Sequence, residues 1–253
     1  MELAAEMHYA ISQAIFIRLN KAPVGASVKF YIIEAADRIL SNLPLILSHK
    51  IAEKLKEIEI KILTSQKVCR VTSSGIEASA NFFIPTDINV WTAGIKAENI
   101  LAQLDGLEVN HLHQLCITQS LQTTRDKAIF ALGDCASCLQ PKRKQFVPPR
   151  AQAAHQQARF LAKALLNHLS GKPLPLYYYR DYGSLISLSQ YEVAGSLMGK
   201  WLGNYFIRGK FANFLYWLLY KQHQVTVLGL WKTVLISISN IFARKTKSRL
   251  KLH

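Results

Sequence analysis

Several residues in this sequence have the type and spacing for chemistry. Glu34 closes the β-rich run Val28-Lys29-Phe30-Tyr31-Ile32-Ile33. An acid at the end of such a strand can accept hydrogen bonds from both hydroxyls of a nucleotide ribose, and it disfavours a 2'-phosphate. An acid kept there for solubility is the plainer alternative. Gly133-Asp134 follows the hydrophobic run 128–132. The glycine lets backbone approach a phosphate or a ribityl chain, while the carboxylate can accept a hydroxyl hydrogen bond; a simple turn is the alternative. Gln152 and Gln156 stand four apart and share one face of a helix. Two neutral amides there can orient a carbonyl without adding charge, where a solvated face is the alternative. His155 is turned about 100° away from Gln156 by helical geometry, and reads as a surface or packing residue. Cys135 and Cys138 form a lone CxxC without a second pair or nearby histidines. With Cys69 and Cys116 they make no dense disulfide framework, so reduced packing thiols are expected and no metal site.

Positioning these residues requires an α/β scaffold. Residues 1–20 place Leu3, Met7, Ala10, Ile11, Ala14, Ile15 and Ile17 at helical spacing, and Pro23 and Gly25 then interrupt the pattern. A strand over 28–33, a helix over 44–56 and strands at 60–63, 68–71, 75–78 and 88–92 predict a βαβ unit with an inserted β-meander. A second lobe is expected from strands at 114–118 and 128–132 and an alanine-rich helix from Pro149 to Leu169, closed by Gly171 and Pro173. Residues 177–198 then read as short alternating strands. The expected division is 1–95, 96–172, a β-rich 173–204 and a helical tail 205–253.

The segments Ile33-Glu34-Ala35-Ala36-Asp37-Arg38-Ile39-Leu40, Val90-Trp91-Thr92-Ala93-Gly94-Ile95-Lys96-Ala97, Leu121-Gln122-Thr123-Thr124-Arg125-Asp126 and Ile129-Phe130-Ala131-Leu132-Gly133-Asp134-Cys135-Ala136 resemble, in order, those of type II, non-proton-pumping NADH:quinone oxidoreductases. So do Val147-Pro148-Pro149-Arg150-Ala151-Gln152-Ala153-Ala154-His155-Gln156-Gln157-Ala158, Gly183-Ser184-Leu185-Ile186-Ser187-Leu188-Ser189 and the ending Arg249-Leu250-Lys251-Leu252-His253, most closely in the proteobacterial branch. The resemblance implies a Rossmann-like α/β flavoprotein with two dinucleotide-binding domains, of the pyridine nucleotide-disulfide oxidoreductase type, using FAD and NADH. It implies that the chain is the C-terminal portion, beginning just past the nicotinamide glycine loop, and that the FAD and NADH glycine-rich loops lie outside it. By the same resemblance Glu34 binds the adenosine ribose of NADH, and Gly133 and Asp134 hold the FAD ribityl chain. Ala93 and Gly94 lie near the nicotinamide or flavin, and Pro149 and Ala151 open a helix whose positive end points at the flavin ring. Gln152 and Gln156 face the quinone, and Glu2 faces the nicotinamide.

Charge and hydropathy describe the tail. The formal charge is +15, and no Asp or Glu follows Glu192, whereas Lys200, Arg208, Lys210, Lys221, Lys232, Arg244, Lys245, Lys247, Arg249 and Lys251 do. The apolar run 211–220 is too short to cross a bilayer, which takes about 20 residues as a helix. Over 227–242 one helical side carries Leu228, Trp231, Val234, Leu235, Ile238, Ile241 and Phe242, and the other Gly229, Lys232, Thr233, Ser237, Ser239 and Asn240, with Ile236 the exception. This predicts an in-plane amphipathic helix on an anionic lipid surface, peripheral at the cytoplasmic face of the cell membrane. A homodimer interface or the protein's own core is the alternative cover for that face. Nucleic acid is not the expected partner, because the cations accompany a continuous apolar face without stacking platforms. The N-terminus, with Glu2 and Glu6 and no early cation, does not read as an export signal. Two further functional readings stand beside the oxidoreductase: a non-catalytic remnant or membrane-docking module, and a different flavoprotein working through a redox-active cysteine pair.

Overall fold

The computed structural model describes residues 1–19, 28–41, 43–79, 82–141, 144–188, 192–199 and 203–246. Pro23, Gly25, Ser189, Lys200, Lys247 and the ending 249–253 lie outside the described residues. The chain forms two compact units, Met1–Asn89 with Tyr182–His253, and Val90–Asp181. The divisions therefore fall at 89/90 and 181/182, where the sequence suggested 95, 172 and 204.

In the first unit, helix α1 (Glu2–Leu19) precedes strand β1 (Phe30–Ile33), helix α2 (Leu45–Glu57) and strand β2 (Ile60–Leu63). β1 and β2 pair in parallel from Phe30↔Ile60 to Ile33↔Leu63, so α2 is the crossover of a βαβ unit. Leu47, Ile51 and Leu55 recur every four residues and are buried, which turns one stripe of α2 onto a core shared with Ala5, Ile39, Ile60, Ile186 and Leu188. Lys54 and Lys56 in the last turn complement the helix dipole. The expected meander forms as β3 (Val68–Thr72), β4 (Gly75–Ala78) and β5 (Phe82–Pro85), adjacent in chain order. The strand expected at 88–92 does not form. Ile88 and Val90 alternate as a strand would, but they have no ladder partner among the described residues, and with Trp91 they are exposed. A second antiparallel sheet in this unit consists of β9 (Gly183–Leu188), β10 (Glu192–Gly199) and β11 (Gly203–Arg208), in the order β11-β10-β9.

The C-terminal helical region is two helices, α4 (Gly209–Leu228) and α5 (Leu230–Thr246), instead of one continuous helix through 227–242. Gly229 breaks it. With φ at +81° it donates its N–H to Val225 O at 2.9 Å, and its carbonyl accepts both the N–H and the Oγ1–H of Thr233, at 3.2 and 2.9 Å. One glycine thus closes the first helix and caps the second. Among the described residues no helix is long and apolar enough to cross a membrane.

In the second unit, β6 (Leu115–Ile117) and β7 (Ala136–Gln140) pair in parallel, and β8 (Gln145–Phe146) adds antiparallel to β7. Helix α3 (Ala151–Leu169) packs Ala153, Gln157, Leu161 and Ala164 inward. The strand expected at 128–132 is reduced to a bridge between Phe130 and Gln122, with Thr123 N–H donating to Ile129 O and Ala131 N–H to Leu121 O. Those bonds fold the run back onto residues 121–123, and the regular parallel strand, β7, follows the Gly-Asp turn instead of preceding it. α3 opens at Ala151, with Arg150 as N-cap, so Pro149 lies outside the helix it was expected to begin.

Candidate functional site

Glu34 sits where the parallel pair β1–β2 ends. Its N–H donates to Leu63 O at 2.9 Å and its carbonyl accepts Gln66 N–H at 3.0 Å, so the backbone on either side of its side chain is fixed. The carboxylate is partly buried and accepts Ala36 N–H through Oε1 at 3.0 Å, which sets its rotamer. Arg38, whose role the sequence did not reveal, donates to the carbonyls of Leu40, Ser41 and Leu43 at 3.3, 2.7 and 3.0 Å. An arginine near this acid is the natural receiver of a 2'-phosphate. Here the guanidinium instead holds the loop that leads to α2.

Glu2, in the first turn of α1, accepts the Ser187 N–H through Oε1 at 2.7 Å. This bond ties the helix to β9, within the Gly-Ser-Leu-Ile-Ser-Leu segment singled out in the sequence. Ala93 and Gly94 are exposed in irregular chain; Gly94 has φ at +80°, and Ala93 O accepts the Trp91 Nε1–H at 2.9 Å. A Cβ at Gly94 would meet nothing within 4 Å, so the backbone there is open to close approach.

The Gly133-Asp134 turn is a short 3-10 helix, Gly133–Cys135, with Gly133 at φ +73°. Gln157, buried on α3, accepts the Gly133 N–H through Oε1 at 2.7 Å. Gln114 donates Nε2–H to Asp134 O at 2.9 Å. A Cβ on Gly133 would come 3.5 Å from Ala154 Cβ, so small residues on both sides allow α3 and the turn to pack closely. The Asp134 carboxylate is exposed and has no partner among the described residues. Sequence reading missed Gln114 and Gln157. The signal for Gln157 was available: a glutamine in the stripe Ala153, Leu161, Ala164 must be satisfied inside the fold.

Gln152 and Gln156 share a face of α3, as their spacing predicts, and both amides bond the chain at 180–181. Gln156 Nε2 donates to Arg180 O at 2.7 Å and its Oε1 accepts Arg180 N–H at 3.1 Å. Gln152 Nε2 donates to Asp181 Oδ1 at 3.2 Å, and Arg150 pairs with Asp181 at 3.4 Å. The strap is anchored further back, where Gln140 Oε1 accepts the Tyr179 N–H at 3.2 Å. His155, turned off the face of these glutamines, is partly buried.

All four cysteines are free thiols. Cys138 is fully buried, and burial pushes its thiol up while a hydrogen bond with Gln140 opposes the shift. Burial raises Cys116 too, aided by Glu108. Burial thus disfavours the thiolate at Cys138 and at Cys116. No cluster of His, Cys, Asp and Glu able to hold a metal occurs among the described residues.

Two parallel strand pairs, one whose first strand ends in an acid before a helical crossover and one whose second strand is preceded by a glycine-acid turn packed on a helix, define a dinucleotide-binding α/β protein. The chain belongs to the pyridine nucleotide-disulphide oxidoreductase family, whose model matches residues 1–158. It is 37% identical to a type II NADH:quinone oxidoreductase of Haemophilus influenzae over 100% of this chain and 57% of the relative. It is 28% identical to a demethylphylloquinone reductase of Synechocystis over 83% of this chain and 52% of that protein. The chain thus spans about half the length of these curated relatives. In fold it is similar to NDH2 of Plasmodium falciparum, solved in complex with NADH, with a TM-score of 0.78 at 16% identity, covering 100% of this chain and 64% of that one.

Proposed function

We propose that this chain supplies the NADH-adenosine acid, the flavin-holding turn and the quinone-facing helix of an FAD-dependent, non-proton-pumping NADH:quinone oxidoreductase. The observation that carries the reading is the Gly133-Asp134 turn, bonded to α3 through Gln157 and presenting an unpartnered carboxylate, in a chain 37% identical throughout to such an enzyme.

The residues fit the cofactors chemically. Glu34 would accept ribose hydroxyls of NADH; Arg38, engaged by three carbonyls, is turned to the loop and not to a 2'-phosphate. Asp134 would accept a ribityl hydroxyl of FAD, and the open backbone at Ala93-Gly94 would admit a flat ring. Pro149 and Ala151 stand at the opening of α3, whose unpaired N–H groups favour negative charge. FAD, when bound, supplies the acceptance of a hydride and the return of two electrons. Glu2 faces the nicotinamide in this reading, with Ser187 N–H holding its side chain. Gln152 and Gln156 would bind a quinone carbonyl, which must compete with their bonds to Arg180 and Asp181.

The membrane is the source of the quinone. On α5 Trp231 is 80% and Leu235 66% exposed, next to exposed Val234 and Ile238, in a region free of Asp and Glu. An apolar helix face flanked by cations suits peripheral docking on an anionic leaflet, here assigned to the cytoplasmic face of the cell membrane. A homodimer sharing this face is the competing arrangement. The test is NADH oxidation with a soluble short-chain quinone, measured on the chain supplied with FAD. Turnover that requires both FAD and quinone is expected; no retained flavin and no turnover would leave a membrane-docking module.

A further inference from the structure

Asp134 is clamped through its backbone on both sides. Ahead of it, the Gly133 N–H is held at 2.7 Å by Oε1 of Gln157, a side chain only 2% exposed. Behind it, the Asp134 carbonyl accepts Gln114 Nε2–H at 2.9 Å, and Gln114 Oε1 is itself held by Asn110 Nδ2–H at 2.9 Å. The carboxylate between these anchors is exposed, with no partner among the described residues. An amide in the inward stripe of α3 costs desolvation that an apolar residue would avoid. Its compensation is the single glycine N–H that begins the turn. A group fixed at its backbone and unspent at its functional atom is preorganised for a ligand, because binding need not order it.

We propose that Gln157 is a positioning residue: it fixes the Gly133-Asp134 turn against α3 so that the Asp134 carboxylate is held ready for a polyol hydroxyl, and so joins the helix carrying Gln152 and Gln156 to that acid. The ligand class rests on the flavin reading above; the clamp does not. Gln157 turns away from Gln156 by about 100° around the helix, so α3 meets the turn with one face and the strap at 180–181 with another.

The test uses the full chain and three substitutions, two of them also combined. Gln157→Leu removes the acceptor and Gln157→Glu keeps one. FAD affinity, from quenching of flavin fluorescence, should weaken about tenfold in Gln157→Leu, the scale of one lost hydrogen bond, and recover in Gln157→Glu. On an Asp134→Ala background Gln157→Leu should cause no further loss, because its effect passes through Asp134. A residue that only stabilises the fold would weaken both backgrounds alike, and that result overturns the proposal. Hydrogen exchange separates the clamp from the ligand. The Gly133 amide should exchange about tenfold faster in Gln157→Leu while β6 and β7 keep their protection; unchanged exchange overturns the proposal. Absence of FAD binding by the unsubstituted chain overturns the flavin reading alone, leaving exchange at Gly133 to decide the clamp.

Discussion

Glu34 and Asp134 have the same design at the scale of the residue: a carboxylate carried on backbone already committed to other bonds. Replacing Glu34 by Ala removes the acceptor that Ala36 N–H already meets. NADH binding, followed by titration of its fluorescence, should weaken about tenfold to a hundredfold, since hydrogen bonds to a charged group contribute about 1.5–3 kcal/mol. NADPH should gain nothing from this change alone, because Arg38 stays bound to three carbonyls. Cys138 makes a different prediction. Its folded thiol is raised by burial, so below the unfolded value of about 8.5 both states are protonated and stability is unaffected. Above it the unfolded thiol ionises first, and stability falls as pH rises toward and through the folded value. Urea unfolding should therefore show a loss at alkaline pH that is smaller in Cys138→Ala. Glu34, Asp134, Gln152 and Gln156 stood out as candidates because acids and amides advertise themselves by type and spacing. Gln114 gave no such signal, since its partner is the backbone carbonyl of Asp134, and Gln157 was marked only by its place in the inward stripe of α3.

Among the elements, those with strong local periodicity matched their expectation within a residue or two: α1, α2 with Pro44 at its N-cap, β2, β4 and the body of α3. Short apolar runs were ambiguous, as at 88–92 and 128–132, because a strand exists only where a neighbour supplies its ladder. Gly229 was also misjudged: placed on the polar side of a continuous helix, it ends one helix and begins another. Gly229→Ala forces a left-handed backbone on a residue with a Cβ, at a cost of about 1–2 kcal/mol. Thermal unfolding should show that loss at the junction, with accelerated amide exchange confined to the ends of α4 and α5. Gly133, at φ +73°, should respond similarly to Ala, and its FAD affinity should fall together with its stability.

For the molecule as a whole, the charge of +15 and the exposed face of α5 set the expected membrane behaviour. Trp231→Glu combined with Leu235→Glu should lower partitioning onto vesicles containing anionic lipid by more than about tenfold, as burial of one large apolar side chain is worth about 1.5–3 kcal/mol. Sedimentation with vesicles checks this, and raised salt should weaken binding of the unsubstituted chain by screening its cations. Equal sedimentation of the double variant, with a smaller mass in solution, would favour the dimer interface. The sequence by itself determined the α/β class, the family resemblance, the identities of the candidate acids and amides, and the cationic, apolar character of the tail, because these follow from residue type and short-range spacing. The tertiary structure alone decided that β9–β11 and the tail join the first unit, that Arg38 is occupied, that Asp181 and Arg180 bond the glutamine face, and that two buried amides hold Asp134. Apart from the Arg38 bonds, which stay within five residues, each rests on pairings between residues distant in the chain, and such pairings leave no period in a single sequence.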